Sequence, residues 1–287
     1  MVVARTGPGA SLVTALSALE AGCIGVATEI LVVGTEHEGS SSTGSWPVRV
    51  VHCPDSWLTP ERWGLGAREA TGRAIAFTTD QMHVGAGWAR ALLAGLDHRT
   101  IGVGGPIALD PSANAATAAA YLVRFSAFLP GAHLEEREVQ DVPGDNAAYD
   151  RAAVQVETEL LRQGFWEIEF HRRFAARGLR LAMLPDARAT LVGPVPTGLL
   201  ARQRFAHARK FGFTRVRDHG MCAARLLLLA PLVPFVLLGR IRARASADRD
   251  AARRFPSASA RLAILTIAWA AGEALGALDA LCSAERT

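Results

Sequence analysis

Short apolar runs alternate along the first part of the chain with segments whose apolar residues recur at helical spacing. In residues 11–21, for example, Leu12, Leu16 and Leu19 fall on one face of a predicted helix. A strand, a helix and a second strand in succession form a parallel pair with a right-handed crossover. The pattern therefore predicts an α/β fold with a mostly parallel sheet. The predicted strands cover residues 1–4, 29–33, 48–52, 74–77, 101–109, 182–185 and 189–192.

The other periodic segments predict further helices, one of which is strongly basic. The first of them begins with Pro60, and proline is favoured in the first turn of a helix. The basic helix carries Arg204, Arg209 and Lys210. These predicted helices cover residues 60–71, 88–96, 115–129, 164–177 and 199–212.

An acidic tip follows the strand predicted at residues 74–77. The apolar run ends abruptly in the sequence TTDQ, whose acidic residue is Asp80, and a glycine-containing turn then leads into the helix that starts at Trp88. In an open α/β sheet the ligand crevice lies beyond the carboxyl ends of the strands. A carboxylate such as Asp80 can hold a metal ion or a ligand hydroxyl there, or it can simply cap the following helix.

Charge and cysteine content argue against several classes of function. The 287 residues carry a net charge of +4, and the basic residues are almost all arginine, with Lys210 the only lysine. These arginines lack the interleaved aromatic residues that stack on bases, so we expect no nucleic-acid partner. Four scattered cysteines without a CxxC pair argue against a zinc site or a disulfide framework and predict a reducing compartment. The N-terminus lacks the basic and apolar regions of a signal peptide, so we expect the first part of the chain to be cytosolic.

The C-terminal part of the chain is apolar and predicts contact with a membrane. Residues 223–239 are apolar apart from Arg225, and residues 262–281 form a second apolar stretch. Each is near the lower length limit for crossing a bilayer, and each could instead be a core helix. A simple hairpin of two membrane-spanning helices would place the linker at residues 240–261 outside the cell. That linker is rich in arginine, and positively charged loops favour the cytoplasmic side, so a simple hairpin is disfavoured. We therefore expect residues 221–287 to lie in, or re-enter from, the cytoplasmic face of the cell membrane.

Several motifs occur in a characteristic order along nearly the whole chain. They are AFTTDQMHVGAGW around Asp80, PGDNAAYDR at residues 143–151, WEIEF at residues 166–170, RFAHAR at residues 204–209, and AW with GE at residues 268–273. Together they resemble the motifs of the inverting family-2 glycosyltransferases of the GT-A fold. The likeness is to bacterial members of that family with an apolar C-terminal tail.

The resemblance implies a GT-A domain at residues 1–220, with a Rossmann-like sheet covered by helices on both faces, and membrane-associated helices at residues 221–287. It implies transfer of a sugar, with inversion, from a nucleotide-sugar donor to a lipid-linked or glycan acceptor. The implied donor-binding residues are Arg5, Thr6, Thr35, Glu36, Arg68, Asp80, Arg204, Arg209 and Lys210. The implied acceptor-binding residues are Asp145, Asn146 and Trp166, and the implied catalytic carboxylates are Glu167 and Glu169. Asp80 would also hold Mg²⁺ or Mn²⁺.

The sequence departs from the family's pattern at its acidic positions. Gly34 and Thr35 stand where an acidic pair is usual, and Glu36 is the nearest carboxylate. Asp80 is the single carboxylate left in the metal motif, so Mg²⁺ or Mn²⁺ would need further oxygens from the substrate phosphates. The basic helix at residues 199–212 could then neutralise the diphosphate, or it could form a solvated face beside anionic lipid. The alternative function is a degenerate GT-A domain that binds a nucleotide sugar or glycan without catalysis, as a partner subunit.

Glu167 is the candidate general base of the implied reaction. Inverting transfer needs a carboxylate that takes the proton from the acceptor hydroxyl as the new bond forms. Glu167 occupies the position at which the resembled motif has aspartate. A structural alternative is that it stabilises the helix N-terminus, an effect of roughly 0.3–1 kcal/mol. Asp145 and Asn146 fit a β-turn equally well, and Trp166 fits a core position.

Overall fold

A computed structural model describes residues 1–6, 11–35, 47–132 and 135–284. The chain forms two compact units. Unit 1 contains Met1–Pro111 and Phe128–Gly193, and unit 2 contains Ser112–Ala127 and Pro194–Thr287. Helices on both sides of residue 220, the boundary expected from the sequence, pack together in unit 2.

Strands and helices alternate in the order that is typical of α/β proteins. The strands are β1 (Val2–Ala4), β2 (Ile30–Gly34), β3 (Val48–His52), β4 (Ala74–Thr79), β5 (Met82–Val84), β6 (Thr100–Gly104), β7 (Ile107–Leu109), β8 (Arg137–Val139), β9 (Ala147–Asp150), β10 (Arg180–Met183) and β11 (Ala189–Leu191). The helices are α1 (Leu12–Gly22), α2 (Thr59–Glu69), α3 (Trp88–Ala94), α4 (Ala115–Phe125), α5 (Arg151–Gln155), α6 (Thr158–Gln163), α7 (Glu167–Ala176), α8 (Thr197–Arg217), α9 (Ala223–Leu229), α10 (Val233–Ala245) and α11 (Arg249–Ala284). Short 3₁₀ helices lie at Pro130–Ala132, Gly144–Asn146 and Ala230–Leu232.

Eight strands of unit 1 form one sheet in the order β3-β2-β1-β4-β9-β6-β10-β8. The strands run parallel to one another except β8 and β9, which are antiparallel to their neighbours. The register pairs Ala4 with Thr79 across β1 and β4, and Phe77 with Ala147 across β4 and β9. The carboxyl ends of β1 and β4 therefore meet the amino end of β9. This arrangement confirms the predicted α/β fold with a mostly parallel sheet.

The strand predicted over residues 101–109 is in fact two strands that belong to two different sheets. β6 lies in the large sheet, whereas β7 belongs to a three-stranded sheet with the order β5-β11-β7. Between them, a Cβ added at Gly105 would lie 2.9 Å from Asn146 Nδ2 and even closer to the backbone of Ala187. The chain can turn there because glycine leaves room for this backbone.

An aromatic cluster fills the core of unit 1. Its members come from α2, β4, β9 and the α7 region, and they are Trp63, Phe77, Tyr149, Phe165, Phe170 and Phe174. The rings of Phe77 and Phe165 stack with their centroids 4.3 Å apart. Because each such side chain buries about 150–250 Å² of surface, the cluster holds α7 firmly against β4 and β9. The start of α7 is thereby fixed at the end of the sheet.

Unit 2 is a set of helices in which α4 packs against α8 and α11. Helices α8 and α11 approach closely at small residues. A Cβ added at Gly272 would lie 3.0 Å from the Cβ of Ala208, and one added at Gly276 would lie 2.9 Å from the backbone nitrogen of Phe213. A Gly-xxx-Gly spacing of this kind is frequent between helices that pack in membranes.

Two helical segments of unit 2 are long and apolar enough to cross a membrane, namely Ala223–Ala245 and Arg249–Ser283. The first leaves large apolar side chains in the open, with Leu228 79% exposed and Phe235 73% exposed. These segments are candidate membrane anchors. The expected linker at residues 240–261 is largely helical, since its alanine and arginine residues favour helix, and it contributes to α10 and α11.

Candidate functional site

At the carboxyl ends of β1 and β4, the Asp80 side chain is buried among partners from its own chain. Asp80 is 1% exposed and Arg5 is 7% exposed. Asp80 Oδ1 accepts hydrogen bonds from Thr6 Oγ1 at 2.6 Å and from the Thr6 backbone nitrogen at 3.1 Å. Asp80 Oδ2 lies 3.0 Å from Arg5 Nη1. These partners offset the cost of burying the carboxylate away from water.

Arg62, in the first turn of α2, extends this group and was missed by the sequence prediction. Its Nη1 donates to the backbone oxygen of Arg5, and its Nη2 donates to the backbone oxygen of Asp55 at 3.2 Å. Arg62 is 8% exposed. The signal that could have found it is an arginine in the first turn of the helix that follows β3, since such a turn starts at the carboxyl end of the sheet. We call Arg5, Thr6, Arg62 and Asp80 the Asp80 cluster.

A second group lies where the short helix Gly144–Asn146 leads into β9. This short helix contacts β4 and directly precedes Ala147, the β9 residue that pairs with Phe77 of β4. Glu167, the first residue of α7, packs over Gly144, where an added Cβ would come within 2.7 Å of Glu167 Cγ. Glu167 is half-buried, and Asp145 is buried. The structure therefore brings the predicted base and one predicted acceptor-binding residue to the end of the sheet that also holds the Asp80 cluster.

Asn146 crosslinks the structure through its side-chain amide. Its Oδ1 accepts a hydrogen bond from Trp88 Nε1 at 2.7 Å. Its Nδ2 donates to the backbone oxygens of Ala187 at 2.8 Å and of Pro106 at 3.3 Å. The side chain is fully buried. The acceptor-binding role predicted for Asn146 does not fit this position, because both amide N–H groups are used internally.

Glu169 and Trp166 make contacts different from those of Glu167. Two positions along an α-helix differ by about 200° in direction, so Glu167 and Glu169 lie on different faces of α7. Glu169 pairs with Arg172 at 3.2 Å. The Trp166 indole N–H donates to the backbone oxygen of Gln163 at 2.9 Å. The structure places Glu167, and not Glu169, against the short helix that precedes β9.

The other predicted donor residues of unit 1 fall into three cases. Thr35 follows β2 and is half-buried at the carboxyl end of the sheet. Glu36 lies outside the described residues. Arg68 is exposed near the end of α2, and its Nη1 donates to the backbone oxygen of Leu161 at 3.0 Å. Arg68 therefore joins α2 to α6 and is not part of the Asp80 cluster.

The predicted donor residues of α8 belong to unit 2. Arg204 Cζ lies 4.7 Å from the ring centroid of Trp269, and burial lowers the pKa of Arg204 to about 10. Arg209 pairs with Asp279 at 2.6 Å. Lys210 is half-buried. Two of the three predicted cations thus take part in the packing of α8 against α11.

A hydrogen-bond chain that the sequence did not reveal runs from the buried Tyr149 and His171 to the exposed Asp141 and supports α7. Tyr149 Oη lies 2.9 Å from His171 Nε2, and His171 Nδ1 lies 3.0 Å from Asp141 Oδ1. Burial, together with the nearby carboxylates of Glu167 and Asp141, raises the pKa of Tyr149 well above its ordinary value. The phenol therefore stays protonated and is hydrogen-bonded to His171, which lies one turn after Glu167. This chain ties the first turns of α7 to β9.

The surroundings of Asp80 do not fit a divalent metal ion. In the part of the chain that the structure describes, no group of three or more His, Cys, Asp or Glu side chains could hold a metal. Mg²⁺ and Mn²⁺ prefer several oxygen ligands. Both oxygens of Asp80 already contact Arg5 or Thr6. The metal-binding role predicted for Asp80 therefore does not match the residues around it.

The fold is of the GT-A type that glycosyltransferases use. The structure of a mannosyltransferase from Pyrobaculum calidifontis, in complex with GDP-Man and Mn²⁺, matches with a TM-score of 0.52 at 15% sequence identity, covering 98% of this chain and 86% of that one. The structure of GalNAc-T7 with UDP, GalNAc and Mn²⁺ has a TM-score of 0.47 at 14% identity, covering 66% of this chain and 43% of that one. No family model matches the sequence, and no curated protein matches it. The mannosyltransferase likeness, at this identity, defines the fold.

Proposed function

We propose that this chain is a membrane-associated glycosyltransferase of the family-2 type. It transfers a sugar, with inversion, from a nucleotide-sugar donor to a lipid-linked or glycan acceptor. The observation that carries the proposal is the position of Glu167 over Gly144, at the end of the sheet where open α/β folds bind their ligands. The motifs at residues 143–151 and 166–170 support the same assignment.

In the proposed reaction, the Glu167 carboxylate accepts the proton of the acceptor hydroxyl as the hydroxyl oxygen bonds to the anomeric carbon. The bond from this carbon to the donor phosphate breaks, and the nucleoside diphosphate leaves with the electron pair. Attack from the face opposite the leaving group inverts the anomeric centre. Asp145, beside Gly144 on the same short helix, is proposed to bind a sugar hydroxyl.

The donor is proposed to bind along the carboxyl ends of β1, β2 and β4. Arg5, Thr6 and Asp80 lie at the ends of β1 and β4, and Thr35 lies at the end of β2. The leaving diphosphate requires fixed positive charge in this region. The donor roles of Arg204, Arg209 and Lys210 and the acceptor role of Trp166 stay predictions.

The second candidate function is a GT-A domain that binds a nucleotide sugar or glycan without catalysis, as a partner subunit. The observation that favours it is the internal pairing of Asp80 with Arg5 and Thr6. A carboxylate held in this way does not offer a metal ion the open oxygens that the resembled motif normally supplies. The two candidates differ in whether bound donor is turned over.

A panel of nucleotide sugars, titrated into the full chain in detergent, tests the first candidate. We expect one donor to bind and to be hydrolysed slowly. Glu167→Gln should lower hydrolysis and transfer by at least about a hundredfold, as expected for a lost general base. Its donor Kd should change less than about threefold, because the base acts on the acceptor.

Two further variants make this experiment specific. Glu169→Gln compares the other predicted carboxylate of α7, and we expect a smaller loss because that side chain pairs with Arg172. Glu159→Gln, which removes an exposed glutamate of α6, is the matched control. If a donor binds but no sugar is transferred to any acceptor, the non-catalytic candidate is favoured. Full turnover by Glu167→Gln would reject Glu167 as the base.

Membrane association is proposed from the segment Ala223–Ala245. Its apolar side chains, such as Leu228 and Phe235, are exposed, and arginines stand at both its ends (Arg225, and later Arg242). An apolar face with flanking arginines is attracted to anionic lipid at the cytoplasmic surface. We propose that this segment lies in, or re-enters from, the cytoplasmic leaflet. Labelling that reached Ala247 from outside the cell only would contradict this orientation.

Flotation with vesicles tests the proposed membrane association. We expect the full chain to float with phosphatidylglycerol-containing vesicles more than with pure phosphatidylcholine vesicles, and less at high salt. The double variant Leu228→Glu, Phe235→Glu should lose most of this flotation. Val156→Glu, at an apolar residue of unit 1 that is 61% exposed, is the matched control and should float normally. Equal flotation of the double variant would argue against the segment as the anchor.

A further inference from the structure

The Asp80 cluster contains a fixed cation where the resembled motif would hold a metal ion. Arg5 comes from the end of β1 and Asp80 from the turn after β4, and the register of the two strands brings them together. The Arg5 stem packs against Gly34, where an added Cβ would lie 3.0 Å from Arg5 Cβ and closer still to its Cγ. The absence of a side chain at Gly34 therefore gives Arg5 the room to turn toward Asp80.

A divalent ion at Asp80 would have to displace these contacts. Asp80 Oδ1 takes two hydrogen bonds from Thr6, and Oδ2 takes the Arg5 guanidinium. Thr79 and Gln81 flank the carboxylate and add no second negative charge. An entering ion would also lie beside a buried guanidinium, which repels it strongly because buried charges are poorly screened. The cluster is therefore built for an arginine and not for a metal.

Arg62 adds a second cation to the same place. Its Nη1 and Nη2 donate to backbone oxygens, and none of the carboxylates in the described ranges lies within ion-pair distance of its guanidinium. Its Nε is buried and, among the residues that the structure describes, has no hydrogen-bond acceptor. Arg62 is 8% exposed. A buried guanidinium with an unused hydrogen-bond donor is suited to an anionic ligand, because arginine binds phosphate oxygens well.

We propose that Arg5, held by Asp80, and Arg62 bind the diphosphate of the donor, so that binding requires no divalent cation. This inference rests on the proposed function, because it assigns the ligand class of the same site. Asp80 is then a positioning residue that orients the Arg5 guanidinium. The diphosphate oxygens receive hydrogen bonds from arginine N–H groups, and the charge of the leaving group is stabilised by residues that are already in place.

Calorimetric titration of the full chain in detergent with UDP and GDP, and with uridine and guanosine, tests the inference. The wild-type protein should bind the diphosphate with affinities that agree within about threefold in EDTA and in Mn²⁺, because no cation takes part. Arg5→Met and Arg62→Gln should each weaken diphosphate binding by roughly 10–100-fold, as expected for a lost charge-assisted hydrogen bond. Nucleoside binding, which lacks the diphosphate, should change little and reports on folding. Arg49→Gln, which removes an exposed arginine of unit 1, is the control variant.

Electron paramagnetic resonance of Mn²⁺ added without nucleotide tests whether Asp80 forms a tight metal site, even if no nucleotide binds. The inference predicts no tight Mn²⁺ site in the wild-type protein. A tight Mn²⁺ site that Asp80→Asn removes would overturn it, and so would diphosphate binding that EDTA abolishes. If neither nucleotides nor nucleosides bind under any condition, the proposed function fails. The Mn²⁺ result then still tests whether Arg5 excludes the metal.

Discussion

Two carboxylates at the same end of the sheet in unit 1 differ in what surrounds them. Asp80 is 1% exposed and is held by Arg5 and Thr6, whereas Glu167 is half-buried and packs over the bare backbone of Gly144. Asp80 thus lies beside a buried guanidinium and away from water, whereas the Glu167 side chain is partly exposed. The position of an acidic residue in a motif therefore does not by itself make that residue available for chemistry. At Asp80, a residue from another strand, Arg5, occupies the carboxylate.

The largest effect on stability is expected at Asp80. Asp80→Asn removes the negative charge beside the buried Arg5 guanidinium and should lower the free energy of unfolding by about 3–5 kcal/mol. The same carboxylate-to-amide change in Glu167→Gln should cost no more than about 1 kcal/mol, the size of a helix N-terminal charge effect. Denaturant unfolding of the two variants beside the wild-type protein measures both values.

A double-mutant cycle sharpens this comparison. Arg5→Gln combined with Asp80→Asn should be less destabilising than the sum of the single variants, because neither charge is then left alone in the interior. Additive effects of the two substitutions would show that the pair is not coupled. The contrast between the two carboxylates would then rest on burial alone.

A smaller effect, on activity, is expected at Gly144. Gly144→Ala places a Cβ against the Glu167 side chain and should displace its carboxylate. A displacement of about 1 Å at a catalytic group can lower kcat by roughly 10–100-fold. Gly198→Ala, at a glycine with open space around it, is the control. Steady-state transfer assays on both variants give the comparison, and unchanged kcat in Gly144→Ala would mean that Glu167 does not act from this position.

Much of the fold follows from local pattern. The strands at the start of the chain and the helices between them have clear periodicity, and β2, β3 and β4 lie where the apolar runs predict them. The division of residues 101–109 into β6 and β7 could not be predicted, because it depends on the backbone of Ala187 approaching Gly105. β5 and β8 were not predicted, because each is three residues long and a histidine or charged side chains interrupt the apolar run.

Residues of the candidate site could be predicted only where their position at the end of a single helix or strand marks them. Glu167 at a helix start and Asp80 after a strand could be found in this way. Arg62 could be noticed from its place in the first turn of α2, but the contacts of Arg62 and Asn146 are with residues distant in sequence, such as Arg5 and Trp88, and no local pattern encodes those contacts. Secondary-structure propensity depends on the residues of one segment, whereas these contacts depend on which other segments lie next to it in the folded chain.

The chain leaves unit 1 after Pro111, contributes α4 to unit 2, and returns at Phe128. Helix α4 packs against α8 and α11, which begin at Thr197 and Arg249. All strands of the unit 1 sheet are therefore synthesised before the helices that cover α4. An apolar helix therefore stays open during synthesis, at a stage when exposed surface invites aggregation or capture by a chaperone. The same topology means that no single cut in the polypeptide separates the two units. Each can be inherited, truncated or fused only together with a piece of the other.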